Sequence, residues 1–166
     1  MKHQKTATVI GLLALALPAL ADKPTIIANP FTTPFTISGG PANGACTFDV
    51  LVAPQPNRPN AERIILFANA AILAGPVFVT LTNLSDPAKT LNLNISGPAK
   101  VNFSANEETL FGPALLSNVP PDLTAAAGLP AVSLIIGRTV ITFDNLGNIT
   151  SVTHVGTVQD ICAALQ

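Results

Sequence analysis

Two β-prone stretches separated by a turn make up the segment Gly137–Cys162, and this segment constrains the fold more than any other. The first stretch is rich in β-branched residues and ends at Phe143. Residues 144–148 then supply Asp, Asn and Gly, which favour tight turns. The second stretch begins at Ile149 and continues to a cysteine. The segment therefore predicts a long β-hairpin that ends in Cys162.

Cys162 has one potential disulfide partner, Cys46, because the chain contains two cysteines. An even pair of cysteines in a secreted chain is typical of a disulfide. A metal site or a nucleophilic thiol is disfavoured, since His154 is the one histidine after residue 21 and there is no C-x-x-C motif. We predict a Cys46–Cys162 bond, which requires the two Cα atoms to lie within about 7 Å.

The first 21 residues have the three parts of a secretory signal peptide. Lys2 and Lys5 precede an apolar run, and Ala19-Leu20-Ala21 provides the small residues of a cleavage site. The apolar run is shorter than the about 20 residues that a membrane-spanning helix needs. We predict a signal peptide at 1–21, a mature chain that begins at Asp22, secretion to the extracellular space and no stable membrane anchor.

The mature chain is poor in charge. Removing residues 1–21 leaves six Lys and Arg residues against nine Asp and Glu, a formal charge of −3. No basic stripe remains that could neutralise phosphates, so a nucleic-acid partner is not expected. Trp and Tyr are absent, and 48% of the chain is hydrophobic. Asn, Thr, Ser and Pro must therefore cover most of the surface.

Proline and glycine divide the mature chain into two parts. Residues 22–44 lack any sustained periodicity and predict an extended Pro/Gly-rich N-terminal arm, either laid on the domain or partly mobile. Residues 45–166 alternate between apolar and polar positions and predict a single β domain of about eight strands. The segment Glu62–Ala74 is ambiguous: we favour a hairpin that turns at 68–70 over an amphipathic helix. Residues 117–130 are expected to be an irregular connection.

Short connections between successive strands favour antiparallel pairing of neighbours. A bond between the first and last strands would close such a meander, so we predict an all-β fold, a small antiparallel barrel of about eight strands. A two-sheet β-sandwich is the alternative. By alternation, the interior is formed by aliphatic and Phe side chains: Phe48, Val50, Val52, Leu91, Leu93, Ile95, Val101, Phe103, Ile141 and Phe143.

No catalytic, metal or cofactor site is predicted. The acidic residues nearest to His154 in sequence, Asp144 and Asp160, lie too far along the hairpin to touch it. His154 is expected to face solvent. The adjacent carboxylates Glu107 and Glu108 should point to different sides, whereas glycosidase chemistry needs two carboxylates that face each other.

Four N-x-Ser/Thr sequons are candidate N-glycosylation sites, and each falls on a turn or on the outward side of a predicted strand. Their asparagines are Asn83, Asn94, Asn102 and Asn148.

The C-terminal block GRTVITFDNLGNITSV, followed by TVQDICAAL, resembles the end of a group of uncharacterised small secreted proteins of actinobacteria and fungi. The stretches LTNLS and LNISGP resemble the middle of the same proteins. The similarity covers most of the chain after Cys46 and rests on turns, strands and a cysteine. It implies a secreted β domain and no catalytic residues.

These patterns lead us to expect a secreted, non-enzymatic domain that acts by binding an extracellular protein, in an effector-like or cell-wall-associated role. One alternative is a carrier of a small apolar ligand, such as a fatty acid or sterol; another is an enzyme with a dispersed site. A filled core with an exposed apolar patch would favour the protein partner, and a hollow interior would favour the carrier.

Overall fold

Alternating apolar and polar residues form antiparallel strands along most of the chain. The computed structural model describes residues 23–40 and 45–166, so the signal peptide predicted at 1–21 lies outside the described residues. The strands are β1 (Thr25–Ala28), β2 (Phe35–Ile37), β3 (Val50–Pro54), β4 (Arg63–Leu66), β5 (Ala70–Ala74), β6 (Phe78–Asn83), β7 (Thr90–Asn94), β8 (Ala99–Asn102), β9 (Glu107–Leu116), β10 (Ser133–Phe143) and β11 (Ile149–Asp160). Two short helices are α1 (Pro121–Ala126) and α2 (Ile161–Ala164).

The strands form two antiparallel sheets. The large sheet has seven strands in the order β1-β4-β5-β8-β9-β10-β11, and the small sheet has four in the order β2-β3-β6-β7. The predicted all-β fold is confirmed, and of the two architectures considered the two-sheet sandwich is the one that this pairing fits. The chain passes between the sheets several times, for example at Gly75-Pro76 between β5 and β6.

Two apolar clusters lie on opposite sides of β10. Leu134 packs with the small sheet, whereas the next residue, Ile135, packs in a second cluster with the connection between β9 and β10. The first cluster includes Ile37, Phe48, Val50, Val52, Val79, Leu81, Leu93, Ile161 and Leu165. The second includes Ala114, Leu116, Val119, Leu129, Ile141 and Val152. The single interior expected from the sequence is therefore wrong in two respects, because Ile141 and Phe143 belong to the second cluster, and Val101 and Phe103 are half-buried and belong to neither.

The disulfide prediction is confirmed. Cys46 and Cys162 are bonded, with their Cα atoms 5.1 Å apart. The last strand nevertheless ends before Cys162, because the Asp160 carboxylate accepts a hydrogen bond from the Ala163 amide and caps α2. Ile161 of this helix and the following Leu165 are buried in the first cluster, so the bond fastens a helix anchored in the core to the start of the domain.

Glycines form a row across the large sheet. Gly112 pairs with Gly137, which pairs with Gly156, and Gly97 lies against Gly112. Gly137 has φ +145° and Gly156 has φ +148°, a backbone region that side chains oppose. A Cβ on Gly156 would lie 2.1 Å from the carbonyl oxygen of Ile136. Glycine is therefore required where these strands approach each other.

Three segments that the sequence left less certain have defined structures: 62–74, 117–130 and the N-terminal arm. Residues 62–74 form a hairpin, as favoured, with the Phe67 amide bonded to the Ala70 carbonyl. The connection 117–130 is not wholly irregular, since it contains α1 with proline in its first turn. The N-terminal arm does lie on the domain, and it contributes strands to both sheets: β1 pairs with β4, and β2 with β3.

Candidate binding surface

The large sheet has one face that the small sheet covers only in part. Arg138 on β10 pairs with Phe111 on β9 and with Val155 on β11. Paired residues in a sheet lie on the same face, so these three side chains form one row. We call the side that carries them the outer face. Beyond the glycine row, this face extends away from the small sheet.

Apolar side chains are unusually exposed on the outer face. The exposed fractions are 41% for Phe111, 48% for Ile136 and 78% for Val155. Ile26 on β1 is 61% exposed and pairs with Ile65, which continues the same face across the sheet. Several large apolar side chains exposed on one sheet face are typical of an interaction site.

Three cations lie among these apolar residues. Lys100 pairs with Thr109, which pairs with Val140, two residues from Arg138 on the same face. Arg63 lies on the same face of β4, four strands from β10, a separation of about 19 Å at normal strand spacing. One carboxylate shares the face, that of Glu107. The outer face thus carries three of the six Lys and Arg residues that follow residue 21 and is positively charged in a protein that is negative overall.

The cations of the outer face are not used to stabilise the fold. Elsewhere, Arg58 lies 4.7 Å from the centre of the Phe78 ring, and the Lys89 ammonium donates to the Gln166 carbonyl. Arg63, Lys100 and Arg138 make no hydrogen bond or ion pair within the part of the chain that the structure describes. Their charges remain available to a partner.

A shallow groove marks one end of the outer face. It has a volume of about 360 Å³ and is lined by Arg63, Ile65 and the segment 74–76, with Ala61 at its end. The groove is open to solvent and combines one guanidinium with apolar walls. It suits a side chain or a loop of a partner better than an enclosed ligand.

A second, smaller pocket lies between the sheets. Its volume is about 190 Å³, below the range of about 300–1,000 Å³ that is usual for small-molecule sites. Phe31 and Phe35, stacked edge to face with ring centres 5.9 Å apart, form one wall. Val52 and Leu115 contribute other apolar surface, and Glu62 contributes a carboxyl group.

Two carboxyl groups have pKa values raised above the ordinary 4.5. For Glu108 the main cause is burial, and the negative charge of Glu62 adds to it. For Glu62 burial also dominates, against a lowering hydrogen bond from the Asn29 amide, 2.8 Å away. Glu107 and Glu108 point to opposite faces of β9, as expected. Raised carboxyl pKa values can mark an active site, but only where the groups converge on a cleft.

His154 does not join these carboxyl groups. It pairs with Thr139, whose hydroxyl lies 2.8 Å from His154 Nδ1. The prediction that His154 faces solvent is therefore wrong. Its Nε2 atom is buried without a hydrogen-bond partner in the described residues. Glu108 lies on β9, two strand spacings across and two residues along the sheet, about 12 Å away. Asp160 is six residues along the strand, about 20 Å away.

The four sequons differ in accessibility. Asn83 is 5% exposed; its amide donates to the Leu165 carbonyl, and its side-chain oxygen accepts from the Ser85 amide. A glycan on Asn83 would displace these contacts. Asn94 and Asn148 are exposed and Asn102 is half-buried, so these three remain the candidate sites.

Sequence reasoning did not find the outer face. Arg63, Lys100 and Arg138 are far apart in the chain, and only the strand register places them together. For Lys100 and Arg138 the available signal was a position on the opposite side of the strand from the predicted inward residues Val101 and Ile141. Register depends on the order of strands across the sheet, which the sequence did not reveal.

Comparison with known proteins identifies no relative: no family model, no curated protein and no solved structure matches the chain. Among the described residues, no helix has the length and apolar character needed to span a bilayer.

Proposed function

We propose that this protein is a secreted, non-enzymatic binding domain whose outer face docks an acidic extracellular protein. The observation that carries the proposal is the combination of exposed apolar side chains with three unpaired cations on one sheet face. The signal-peptide pattern at 1–21 and the Cys46–Cys162 bond support an extracellular setting. The resemblance of the C-terminal block to small secreted proteins of actinobacteria and fungi, if real, would agree with secretion, and an effector-like or cell-wall-associated role is part of the proposal.

Charge complementarity indicates the partner's chemistry. Arg63, Lys100 and Arg138 are spread over about 20 Å rather than aligned in a stripe, which fits separate carboxylates on a folded protein better than a nucleic-acid backbone. The face also lacks the Trp and Tyr side chains that usually anchor proteins at a membrane interface. Sugars are a poor match for the same reason, since aromatic stacking platforms are missing.

The area of the outer face limits the interface that a protein partner can form with it. Seven strands and about three rows of side chains give a surface of about 600 Å², slightly below the about 800 Å² that each partner contributes to a standard interface. We therefore expect a reversible complex whose affinity falls with added salt, because the cations are exposed and screened.

A charge-reversal experiment tests the proposal. Lys100→Glu/Arg138→Glu is compared with Lys23→Glu/Lys89→Glu, which changes the net charge equally but leaves the outer face intact. The probes are poly-L-glutamate, phosphatidylglycerol vesicles and duplex DNA, each measured by biolayer interferometry at low and physiological salt.

We expect poly-L-glutamate to bind the wild-type protein and the control pair, and to lose at least about ten-fold in affinity with the outer-face pair, as expected for two charge pairs. Ile136→Ser should weaken binding further. Equal loss in both pairs would mean that net charge alone is responsible. Preferential binding of vesicles or DNA would assign the face to a different class of partner.

The pocket between the sheets supports a second candidate function, transport of a small apolar ligand. Its volume of about 190 Å³ would hold one ring or a short acyl chain against Phe31 and Phe35. Titration with an apolar fluorescent probe tests this candidate. Val52→Phe, which fills the pocket, should abolish saturable binding if the pocket is the site, and unchanged binding would exclude it.

A further inference from the structure

We infer that β11 is a self-association edge, at which a second copy of this chain pairs antiparallel to extend the large sheet. β11 has twelve residues and lies at the end of the sheet, paired only with β10. Its other edge therefore presents main-chain donors and acceptors without a strand partner among the described residues. Such an edge is a template for another strand.

β11 also lacks the charged residues and prolines that commonly protect an edge, and its one register shift lies near its start, at Thr150. Between Ile149 and Gln159 the strand contains no Lys, Arg, Asp, Glu or Pro, the residue types that prevent edge pairing. The other sheet edges are much shorter: β1 has four residues, β2 has three and β7 has five. β11 is thus the one long, uncharged edge in the described part of the fold.

A second copy fits this edge better than a different chain does. A neutral strand can pair with itself without placing like charges opposite each other, and an antiparallel pair of identical strands has two-fold symmetry. Nothing on the strand selects a charged partner. The occupant that the edge specifies is therefore another β11.

The exposure of Val155 fixes the register. At 78% it is the most exposed apolar side chain of the strand, and placing the two-fold axis there covers it with its own copy. Thr153 then lies opposite the second copy's Thr157, and Val152 opposite the second copy's Val158. Cross-strand pairs of β-branched residues stabilise sheets. Gly156 lies opposite His154, where a residue without a side chain leaves room for the imidazole.

Pairing at Val155 joins the two outer faces edge to edge. Arg138 is one strand from Val155, so the two copies of Arg138 would lie three strand spacings or about 14 Å apart. This exceeds the Debye length of about 8 Å at physiological salt, so their repulsion is mostly screened. The contact is small, and we expect a concentration-dependent dimer in the micromolar range. The inference does not depend on which partner the outer face binds.

Sedimentation velocity of the mature protein from about 1 to about 500 μM tests the inference, since a contact of this size populates in that range. Thr153→Lys/Thr157→Lys places Lys against Lys twice across the two-fold axis. It should raise the dimer dissociation constant at least about ten-fold, the effect of two unfavourable cross-strand pairs. Thr153→Lys/Thr157→Glu places Lys against Glu instead and should restore the dimer.

The Lys/Lys and Lys/Glu variants control for each other. Both change the same two exposed positions, and far-UV circular dichroism shows whether each folds. A wild-type protein that stays monomeric over the whole range overturns the inference. So does a Lys/Lys variant that dimerises like the wild type, or a folded Lys/Glu variant that remains monomeric, since the latter would exclude the Val155-centred register.

Discussion

Removing the disulfide should cost a large part of the stability of this domain. The bond links residues 116 positions apart, and closing a loop of that length lowers the free energy of folding by about 5 kcal/mol in the chain-entropy model. Measured effects of native disulfides are about 2–5 kcal/mol. We expect Cys46→Ala/Cys162→Ala to lose about 3–5 kcal/mol and about 10–15 °C in melting temperature. Alanine is preferred to serine because Cys46 is buried, and a hydroxyl there would lack a partner.

Urea denaturation followed by circular dichroism measures this loss. The dependence of unfolding free energy on urea should also increase, because an unfolded chain without the crosslink exposes more surface. Wild-type protein treated with a phosphine reductant is the control, since it lacks the bond but keeps both sulfur atoms. A loss below about 1 kcal/mol, with unchanged urea dependence, would refute the loop-closure argument. A large loss in the alanine variant alone would assign the effect to packing around α2.

Two further predictions concern the glycine row and the buried carboxyl group. Gly156→Ala should destabilise the protein by more than about 3 kcal/mol, because the new Cβ would lie 2.1 Å from a backbone oxygen. Gly147→Ala is the control: Gly147 has φ +83° but no atom nearby, so this variant should lose about 1–2 kcal/mol. Thermal melts of both variants measure the difference. Glu108→Gln should stabilise the protein at pH 7, because a carboxyl whose folded pKa is raised opposes folding once it ionises. The difference should vanish as pH falls below 4.5 in urea titrations, and equal stability at pH 7 would contradict the burial of Glu108.

The sequence was most informative where one periodicity ran through a whole element. The hairpin β10–β11 shows this: β-branched residues, a turn rich in Asp, Asn and Gly, and alternation together specified both strands. The register is continuous through the glycine pair and shifts only between Thr142 and Phe143. The single pair of cysteines was similarly decisive, because two cysteines allow one connectivity.

The errors arose where local and long-range signals competed. The alternation in β11 suggested a strand as far as Cys162, but Asp160 is a good helix cap and ended the strand earlier. Residues 120–128 contain proline, Asp, three alanines and a following glycine, which are helix signals that the flanking prolines obscured. The sequence could not decide between one barrel and two sheets for a different reason: alternation specifies which residues share a face, but not which strand is the neighbour.

The three strands at one side of the large sheet are longer than the strands of the small sheet that packs on them. The strands of the small sheet have three to six residues, whereas β9, β10 and β11 have ten, eleven and twelve. About five residues of each long strand, or about 17 Å, therefore extend beyond the small sheet. The side of this extension that carries Ile141 and Val152 packs in the second cluster with the connection that contains α1. Its other side is the outer face, where Arg138 and Val155 lie exposed. A core alone would not require this extension, and an apolar strand surface in water is costly unless a partner covers it. The extra length agrees with both proposals, an acidic protein across the face and a second copy along the edge.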